Sequence, residues 1–228
     1  QLIGAELASL GIDVDCAPLI DVHQPGAHDV IGDRAFSGDP EEVAILGRAA
    51  ADGLISAGIT PIIKHIPGHG RSMVDSHHDL PRIATSHDEL ARTDFLPFRR
   101  LHDMPWAMTA HIIYEALDPR LPATLSAKVI GEVIRGEIGF DGLLLSDDMS
   151  MKALNGPLDD LTRRALEAGC DVALHCNGKM EEMRLIAAGA APLSKAGEER
   201  YTRGRRQVGR ARVAKLDQVE AELTALLA

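Results

Sequence analysis

The sequence predicts an α/β protein in which short parallel strands alternate with helices, and three observations support this fold class. Short apolar runs alternate along the chain with segments of helical periodicity. The runs are continuously apolar, which is typical of parallel strands that helices cover. Polar residues follow the ends of these runs: Asp21, Lys64, His65, His111, Asp147 and His175. Since (β/α) barrels collect active-site residues at the C-terminal ends of their strands, we expect a (β/α)8 TIM-like barrel.

The N-terminal half is expected to contain a helix over residues 1–10, a strand over 12–20, a helix over 40–57, a strand over 59–64 and a helix behind Ser86. Asp39 is the expected N-cap of its helix, because its carboxylate can accept from first-turn N–H groups and Pro40 suits the next position. Ser86 and Glu89 fit a capping box, in which each side chain accepts from the backbone N–H of the other residue.

The C-terminal half is expected to contain a strand over residues 106–111, a helix over 126–138, a strand over 142–146, a helix over 157–168, a strand over 171–176 and further helix to 228. Gly139 and Gly169 are the expected helix ends. A full barrel has eight strands in about 250 residues. We therefore expect residues 1–228 to be one catalytic domain, the C-terminal portion of a longer barrel. Roughly two N-terminal βα units would be missing, and one more strand would lie in the C-terminal part.

An open doubly wound sheet is the alternative fold. It would be expected to carry a glycine-rich phosphate loop after a strand, and no G-x-G-x-x-G or Walker pattern follows a strand here. The barrel is therefore the favoured interpretation.

Composition limits the kinds of partner. The 228 residues carry a formal net charge of −10, which argues against a nucleic-acid partner or an anionic membrane surface. The basic stretch 203–212 is interpreted as a solvated helix face. No apolar run reaches the roughly 18 residues of a membrane helix. The three cysteines lack CxxC spacing and are expected to be small buried residues. We expect no cofactor, no membrane partner and a cytoplasmic location.

The loop that follows the 59–64 strand is dense in groups able to do chemistry. Lys64 and His65 end a buried strand and so need partners, which a ligand hydroxyl or a neighbouring carboxylate could supply. Asp75 and His77 can lie on one side of an extended segment, where Asp75 would orient His77 for proton transfer near neutral pH. A polar surface loop is the alternative interpretation of this pair.

Asp147 ends another apolar strand and has two interpretations. With Asp148 it could cap a following helix, or it could be a rigidly held carboxylate that attacks an electrophilic carbon. Arg34 could anchor a substrate oxygen or tie down its own loop.

A metal site formed by His65, His69, His77 and His111 would make the protein a metal-dependent barrel hydrolase. The sequence carries neither HExxH nor an H-x-H pair at a strand end, so we expect no metal.

The residues KHIPGHG at 64–70, followed by DSH at 75–77, resemble the signature of glycoside hydrolase family 3. The similarity is to its bacterial β-N-acetylglucosaminidases of cell-wall recycling. Further blocks match in the same order: GDRAF at 32–36, AHIIY at 110–114, GFDG at 139–142 and SDDMSM at 146–151.

The resemblance implies a single-domain barrel and a retaining exo-β-N-acetylglucosaminidase, that is, a β-N-acetylhexosaminidase. By this resemblance Asp147 is the nucleophile and His77 is the general acid/base, paired with Asp75. The residues that would bind sugar hydroxyls are Arg34, Lys64 and His65. The implied substrate is a small carbohydrate, a peptidoglycan fragment with N-acetylglucosamine linked to anhydro-N-acetylmuramic acid and peptide. The protein is expected to be a monomer.

One element of the family pattern lies outside the sequence. The family also holds sugar hydroxyls with an acidic residue in an Asp-Gln-Glu-Gly-Gly-like block on an upstream strand, and no such block occurs here. We therefore expect the sequence to be a portion of a longer protein. A relative that acts on another β-glycoside or by phosphorolysis, and an inactive sugar-binding domain, stay as alternatives.

Overall fold

The computed structural model describes residues 1–29, 31–73, 80–210 and 216–227. Within them lie seven strands: β1 (Val14–Asp15), β2 (Thr60–Ile66), β3 (Arg82–Ile83), β4 (Trp106–Thr109), β5 (Ile113–Tyr114), β6 (Leu143–Asp148) and β7 (Val172–Leu174). Five of them form one parallel sheet in the order β1-β2-β4-β6-β7, while β3 pairs with β5 in a separate parallel pair. The main sheet keeps chain order and curls into a half-barrel, so the α/β prediction is confirmed.

The α-helices of the described residues are α1 (Leu2–Ser9), α2 (Pro40–Ser56), α3 (His87–Arg92), α4 (Leu96–Arg100), α5 (Leu158–Ala168), α6 (Met180–Gly189), α7 (Lys195–Val208) and α8 (Leu216–Leu227). Asp39 caps α2 as predicted, since its Oδ1 accepts from the backbone N–H groups of Glu41 and Glu42. Gly169 ends α5 with a φ of 118°, a conformation that favours glycine. No helix in these ranges is both long and apolar enough to cross a membrane.

Several local predictions were wrong in detail. The strand expected over 12–20 is reduced to β1 and a single bridge between Leu19 and Lys64, because Pro18 has no N–H to donate to the sheet. Ser86 caps α3 as predicted, but the Glu89 carboxylate pairs with Arg71 at 3.0 Å instead of turning back onto the helix end.

The helix expected over 126–138 is present, but Val129–Glu137 has π geometry, which residue pattern does not distinguish from α. The strand expected over 171–176 is β7, but the one further strand expected in the C-terminal part does not appear among the described residues after Leu174, whose regular elements are helices. Cys170 is buried as predicted. Cys16 and Cys176 are exposed, because each lies just after the end of a strand, Cys16 after β1 and Cys176 after β7.

The basic stretch that begins at Arg203 is not simply a solvated face. Arginines of α7 bind residues that begin or precede strands: Arg200 pairs with Asp171, Arg203 with Asp141, and Arg205 with Asp13 and the Thr60 hydroxyl. Gly204 lies against Trp106, so that a Cβ there would fall 2.7 Å from the indole Nε1. Helix α7 is therefore fastened across the N-terminal edge of the sheet.

The core lies on both faces of this sheet. The larger cluster packs the sheet against the outer helices and includes fully buried Phe95, Phe98 and Phe140. A smaller cluster lines the concave face: Ile62, Trp106, Met108, Leu143 and Leu145. Near the C-terminal strand ends polar side chains follow these apolar ones, Lys64 after Ile62 in β2 and Asp147 after Leu145 in β6.

Candidate active site

The C-terminal ends of β2, β4 and β6 bring three polar residues together. Asp147 lies near the end of β6, His65 lies near the end of β2, and His111 follows β4. The Asp147 Oδ2 atom is 3.9 Å from the His65 Nε2 atom, and the Asp147 side chain is only 14% exposed. The arrangement is a carboxylate near the end of a parallel strand with two imidazoles close to it.

Asp21 supports this cluster from below. From its sequence position it is expected only to follow a strand, and no role is predicted for it. In the structure it is fully buried, and its Oδ2 lies 2.7 Å from the His65 Nδ1. Its Oδ1 accepts from the backbone N–H groups of His65 at 3.0 Å and His69 at 2.7 Å. Burial alone would raise the pKa of Asp21, but the His65 and His69 contacts outweigh it and lower that pKa.

The adjacent acids Asp147 and Asp148 have different surroundings. The Asp148 carboxylate accepts from the backbone N–H and hydroxyl of Ser150 and from the backbone N–H of Cys176. The chain that follows forms turns, and α5 begins only at Leu158, so the interpretation of the pair as caps of the next helix is wrong. Asp148 instead closes a turn and ties β6 to the end of β7. Asp147 is the acid that faces His65.

The Asp147 carboxylate is held in its charged form. Burial opposes ionisation, but the His65 and His111 imidazoles and the Asp148 backbone N–H outweigh burial and lower the pKa of Asp147. Among these groups, His111 is fully buried, and burial lowers its pKa. Burial and the nearby His65 lower the pKa of His69 to about 4, so His69 is neutral at pH 7.

A hydrogen-bonded chain fixes His111. Its Nε2 lies 3.1 Å from the Asp148 carbonyl oxygen, and a carbonyl can only accept, so Nε2 carries the proton. Its Nδ1 then accepts from the Thr124 hydroxyl at 2.7 Å, and Thr124 in turn contacts the Thr109 hydroxyl at 2.7 Å. These buried hydrogen bonds hold the β6 backbone next to Asp147.

The other predicted site residues have varied placements. Lys64 is half-buried within β2, and its carbonyl accepts from the Ile20 backbone N–H at 2.8 Å. Arg34 lies on an exposed 3-10 turn, Gly32–Arg34, so its grouping with Asp147 stays a prediction. Asp75 and His77 lie outside the described residues.

The chain that leads toward Asp75 is firmly held. Arg71 donates from Nε to the buried Asp94 carboxylate at 2.7 Å and pairs with Glu89. The Gly68 carbonyl accepts from the Tyr114 hydroxyl at 2.6 Å. Burial raises the pKa of Asp94 in spite of Arg71, because the carboxylate has lost most of its water.

Across the described ranges, no group of three or more His, Cys, Asp or Glu side chains has the arrangement of a metal site. His65 and His69 are neighbours, with ring centroids 5.3 Å apart. The Nδ1 of His65 is engaged by Asp21, which leaves the Nε2 on the side of Asp147.

A protein-family model described as the glycosyl hydrolase family 3 N terminal domain matches residues 1–211. The chain therefore belongs to this family, and the resemblance of its motifs is confirmed. A beta-hexosaminidase from Alkalilimnicola ehrlichii is 47% identical over 180 residues, which cover 77% of this chain and 51% of that protein. The chain thus spans about half the length of the curated relatives it matches.

Solved structures of the family share the fold. A β-N-acetylglucosaminidase from Paenibacillus sp. str. FPU-7 matches with a TM-score of 0.80 and 35% identity, over 90% of this chain and 41% of that one. NagZ from Neisseria gonorrhoeae, in complex with N-trifluoroacetyl-D-glucosamine, matches with a TM-score of 0.81 and 33% identity. This second match covers 95% of this chain and 62% of that one.

Proposed function

We propose that the protein containing this chain is a retaining exo-β-N-acetylglucosaminidase. It would release terminal β-linked N-acetylglucosamine from anhydro-muropeptide fragments of peptidoglycan. The observation that carries the proposal is the Asp147 carboxylate, which is only 14% exposed, kept charged and held near the end of β6 with its Oδ2 beside the His65 Nε2. Membership of glycosyl hydrolase family 3 and the beta-hexosaminidase relatives support it.

In the proposed mechanism Asp147 attacks the anomeric carbon while protonated His77 donates its proton to the departing glycosidic oxygen. The glycosidic bond breaks and a covalent glycosyl-enzyme ester forms on Asp147. Neutral His77 then takes a proton from water, and the resulting hydroxide displaces the sugar from Asp147. Retaining glycosidases usually use two carboxyl groups about 5 Å apart, and here a histidine oriented by Asp75 replaces the second one.

The remaining predicted residues would bind the sugar. Lys64 and Arg34 carry donors suited to hydroxyl oxygens, and the Nε2 of His65 lies beside the nucleophile, where it can contact a hydroxyl near the anomeric carbon. The proposal includes a small carbohydrate substrate, a monomeric protein without a cofactor and a cytoplasmic location.

The first test traps the intermediate in the full-length protein. A fluoro-glycoside with a good leaving group should label the protein, and peptide mass spectrometry should find the sugar on Asp147. Asp147→Asn should abolish labelling. Asp148→Asn is the matched control and should keep it, because an amide oxygen can still accept the bonds that Asp148 makes at Oδ1. A label on Asp148, or the absence of any label, would contradict the assignment.

The acid/base role is tested in the same assay series. His77→Ala should slow substrates with poor leaving groups far more than activated aryl glycosides, because only the former need a proton on the departing oxygen. Equal slowing of both substrates would mean that His77 has a structural role.

The alternative functions are separated by the products. Hydrolysis gives free N-acetylglucosamine with or without phosphate, whereas phosphorolysis gives the sugar phosphate only when phosphate is present. Loss of turnover in strong chelators would favour the metal-dependent hydrolase. Wild-type protein that fails to turn over any β-glycoside, including aryl N-acetylglucosaminides, would favour the inactive sugar-binding domain.

A further inference from the structure

We propose that Asp21 is a positioning residue that sets the orientation and tautomer of His65, so that Nε2 alone is presented to Asp147 and the sugar. The kinetic part of this inference rests on the proposed function. The structural part rests on the fully buried position of Asp21 and on its three hydrogen bonds.

The two carboxylate oxygens of Asp21 have separate tasks. Oδ1 accepts from two backbone N–H groups, those of His65 and His69, and so joins the end of β2 to the bend that follows it. Among the described residues, the hydrogen-bond partner of Oδ2 is the His65 Nδ1, at 2.7 Å. One oxygen therefore organises the backbone, and the other organises the imidazole.

The Oδ2 contact determines which nitrogen of His65 carries a proton. An ionised carboxylate can only accept, and the contacts of Asp21 lower its pKa, so the Nδ1 of His65 must be the donor. The ring is then fixed with its Nε2 toward Asp147, 3.9 Å from the Oδ2 atom of Asp147. Without this contact the ring could rotate, or its proton could move to Nε2.

Position 21 is well suited to a test because asparagine separates the two tasks. In Asp21→Asn the side-chain oxygen can still accept from both backbone N–H groups. The amide –NH2 would replace Oδ2, and because it donates, it would require a bare Nδ1 on His65. The substitution thus preserves the backbone bonds while it reverses the tautomer. Asp21→Ala removes the hydrogen bonds to the backbone and to the imidazole, and it shows how much stability is lost when both are absent.

The kinetic experiment is a double-mutant cycle in the full-length protein, with Asp21→Asn, His65→Gln and the double variant assayed on an aryl N-acetylglucosaminide. Asp21→Asn should lower kcat/KM by roughly 100-fold, the scale of a catalytic group misplaced by about 1 Å. Its unfolding midpoint should stay near that of the wild type. In the His65→Gln background, Asp21→Asn should have little further effect, because the group it positions is already gone.

The same loss in both backgrounds would overturn the inference, since Asp21 would then act independently of His65. A midpoint for Asp21→Asn as low as that of Asp21→Ala would also overturn it, because Asp21 would then be only a structural residue.

A spectroscopic readout does not depend on activity. Side-chain ¹⁵N NMR should show a protonated Nδ1 on His65 in the wild type and an unprotonated Nδ1 in Asp21→Asn, with His65 assigned through its loss in His65→Gln. An unprotonated Nδ1 in the wild type would refute the inference. If the tautomer reverses but no glycoside is turned over, the proposed function fails while the role of Asp21 in setting the tautomer stands.

Discussion

Thr124→Val removes one hydroxyl from the centre of a buried network and leaves the shape of the side chain almost unchanged. Thr124 is fully buried, and its Oγ1 lies 2.7 Å from both the Thr109 hydroxyl and the His111 Nδ1, and 3.1 Å from the Ala110 carbonyl oxygen. Since the Nε2 of His111 donates to the Asp148 carbonyl, its Nδ1 needs a donor, and Thr124 supplies it.

The expected cost follows from the groups left without partners. The substitution strands the His111 Nδ1, in a fully buried residue, and takes one hydrogen bond from the Thr109 hydroxyl, which keeps its hydrogen bond with the Cys170 thiol. A buried polar group without a partner costs about 1–3 kcal/mol and a lost hydrogen bond about 1 kcal/mol, so the free energy of unfolding should fall by about 2–4 kcal/mol. The free energy of unfolding of native proteins is only about 5–15 kcal/mol, so the loss would be a large fraction of it.

The assay is urea unfolding of the full-length protein, in which the midpoint should fall by about 1–2 M. Thr162→Val is the matched control. Thr162 is equally buried, but its hydroxyl donates to the Leu158 carbonyl, one helical turn earlier, so the expected cost is only about 1 kcal/mol. A Thr124→Val midpoint no lower than that of Thr162→Val would refute the reasoning about the network.

Two further predictions concern the site and its surroundings. The lowered pKa of Asp147 contributes stability that is present above the ordinary pKa of aspartate and is lost as pH falls through the lowered value. The stability difference between wild type and Asp147→Asn should therefore shrink between about pH 5 and pH 2 in acid-unfolding experiments, and a constant difference would contradict the shift. Gly70→Ala places a Cβ 1.8 Å from the Val22 carbonyl oxygen and should lower the thermal midpoint by the equivalent of about 1–3 kcal/mol. Gly131→Ala, where a Cβ meets nothing within 4 Å, should stabilise by about 0.5–1 kcal/mol, and equal effects at the two glycines would count against the crowding.

The order and direction of the main elements are predictable because they depend on local signals. Continuous apolar runs mark the strands, while Asp39 and Gly169 mark helix ends through bonds to nearby backbone groups. The early end of β1 depends on Pro18, and the π geometry of residues 129–137 is not distinguished from α geometry by the residue pattern. Strands as short as β3 and β5 have too little periodicity to be recognised.

The site was only partly predictable, because some of its contacts join residues that are far apart in the sequence. Asp147 and His65 stand out because each is a polar residue at the end of an apolar run. The pairing of Asp21 with His65 spans 44 positions and depends on the register of Leu19 against Lys64, which no local pattern reports. Neighbouring identical acids such as Asp147 and Asp148 have the same sequence signal, and only their contacts tell them apart.

The attachment of α7 to the sheet has a consequence for biosynthesis. Arg205 binds Asp13 across 192 positions and Thr60 across 145 positions. At a synthesis rate of about 5–20 residues per second, Asp13 waits roughly 10–40 seconds for this partner to be made. During that interval the N-terminal edge of the growing sheet is uncovered and can meet other nascent chains. A chaperone that binds exposed strands should therefore stay bound to the nascent protein until Arg205 has left the ribosome.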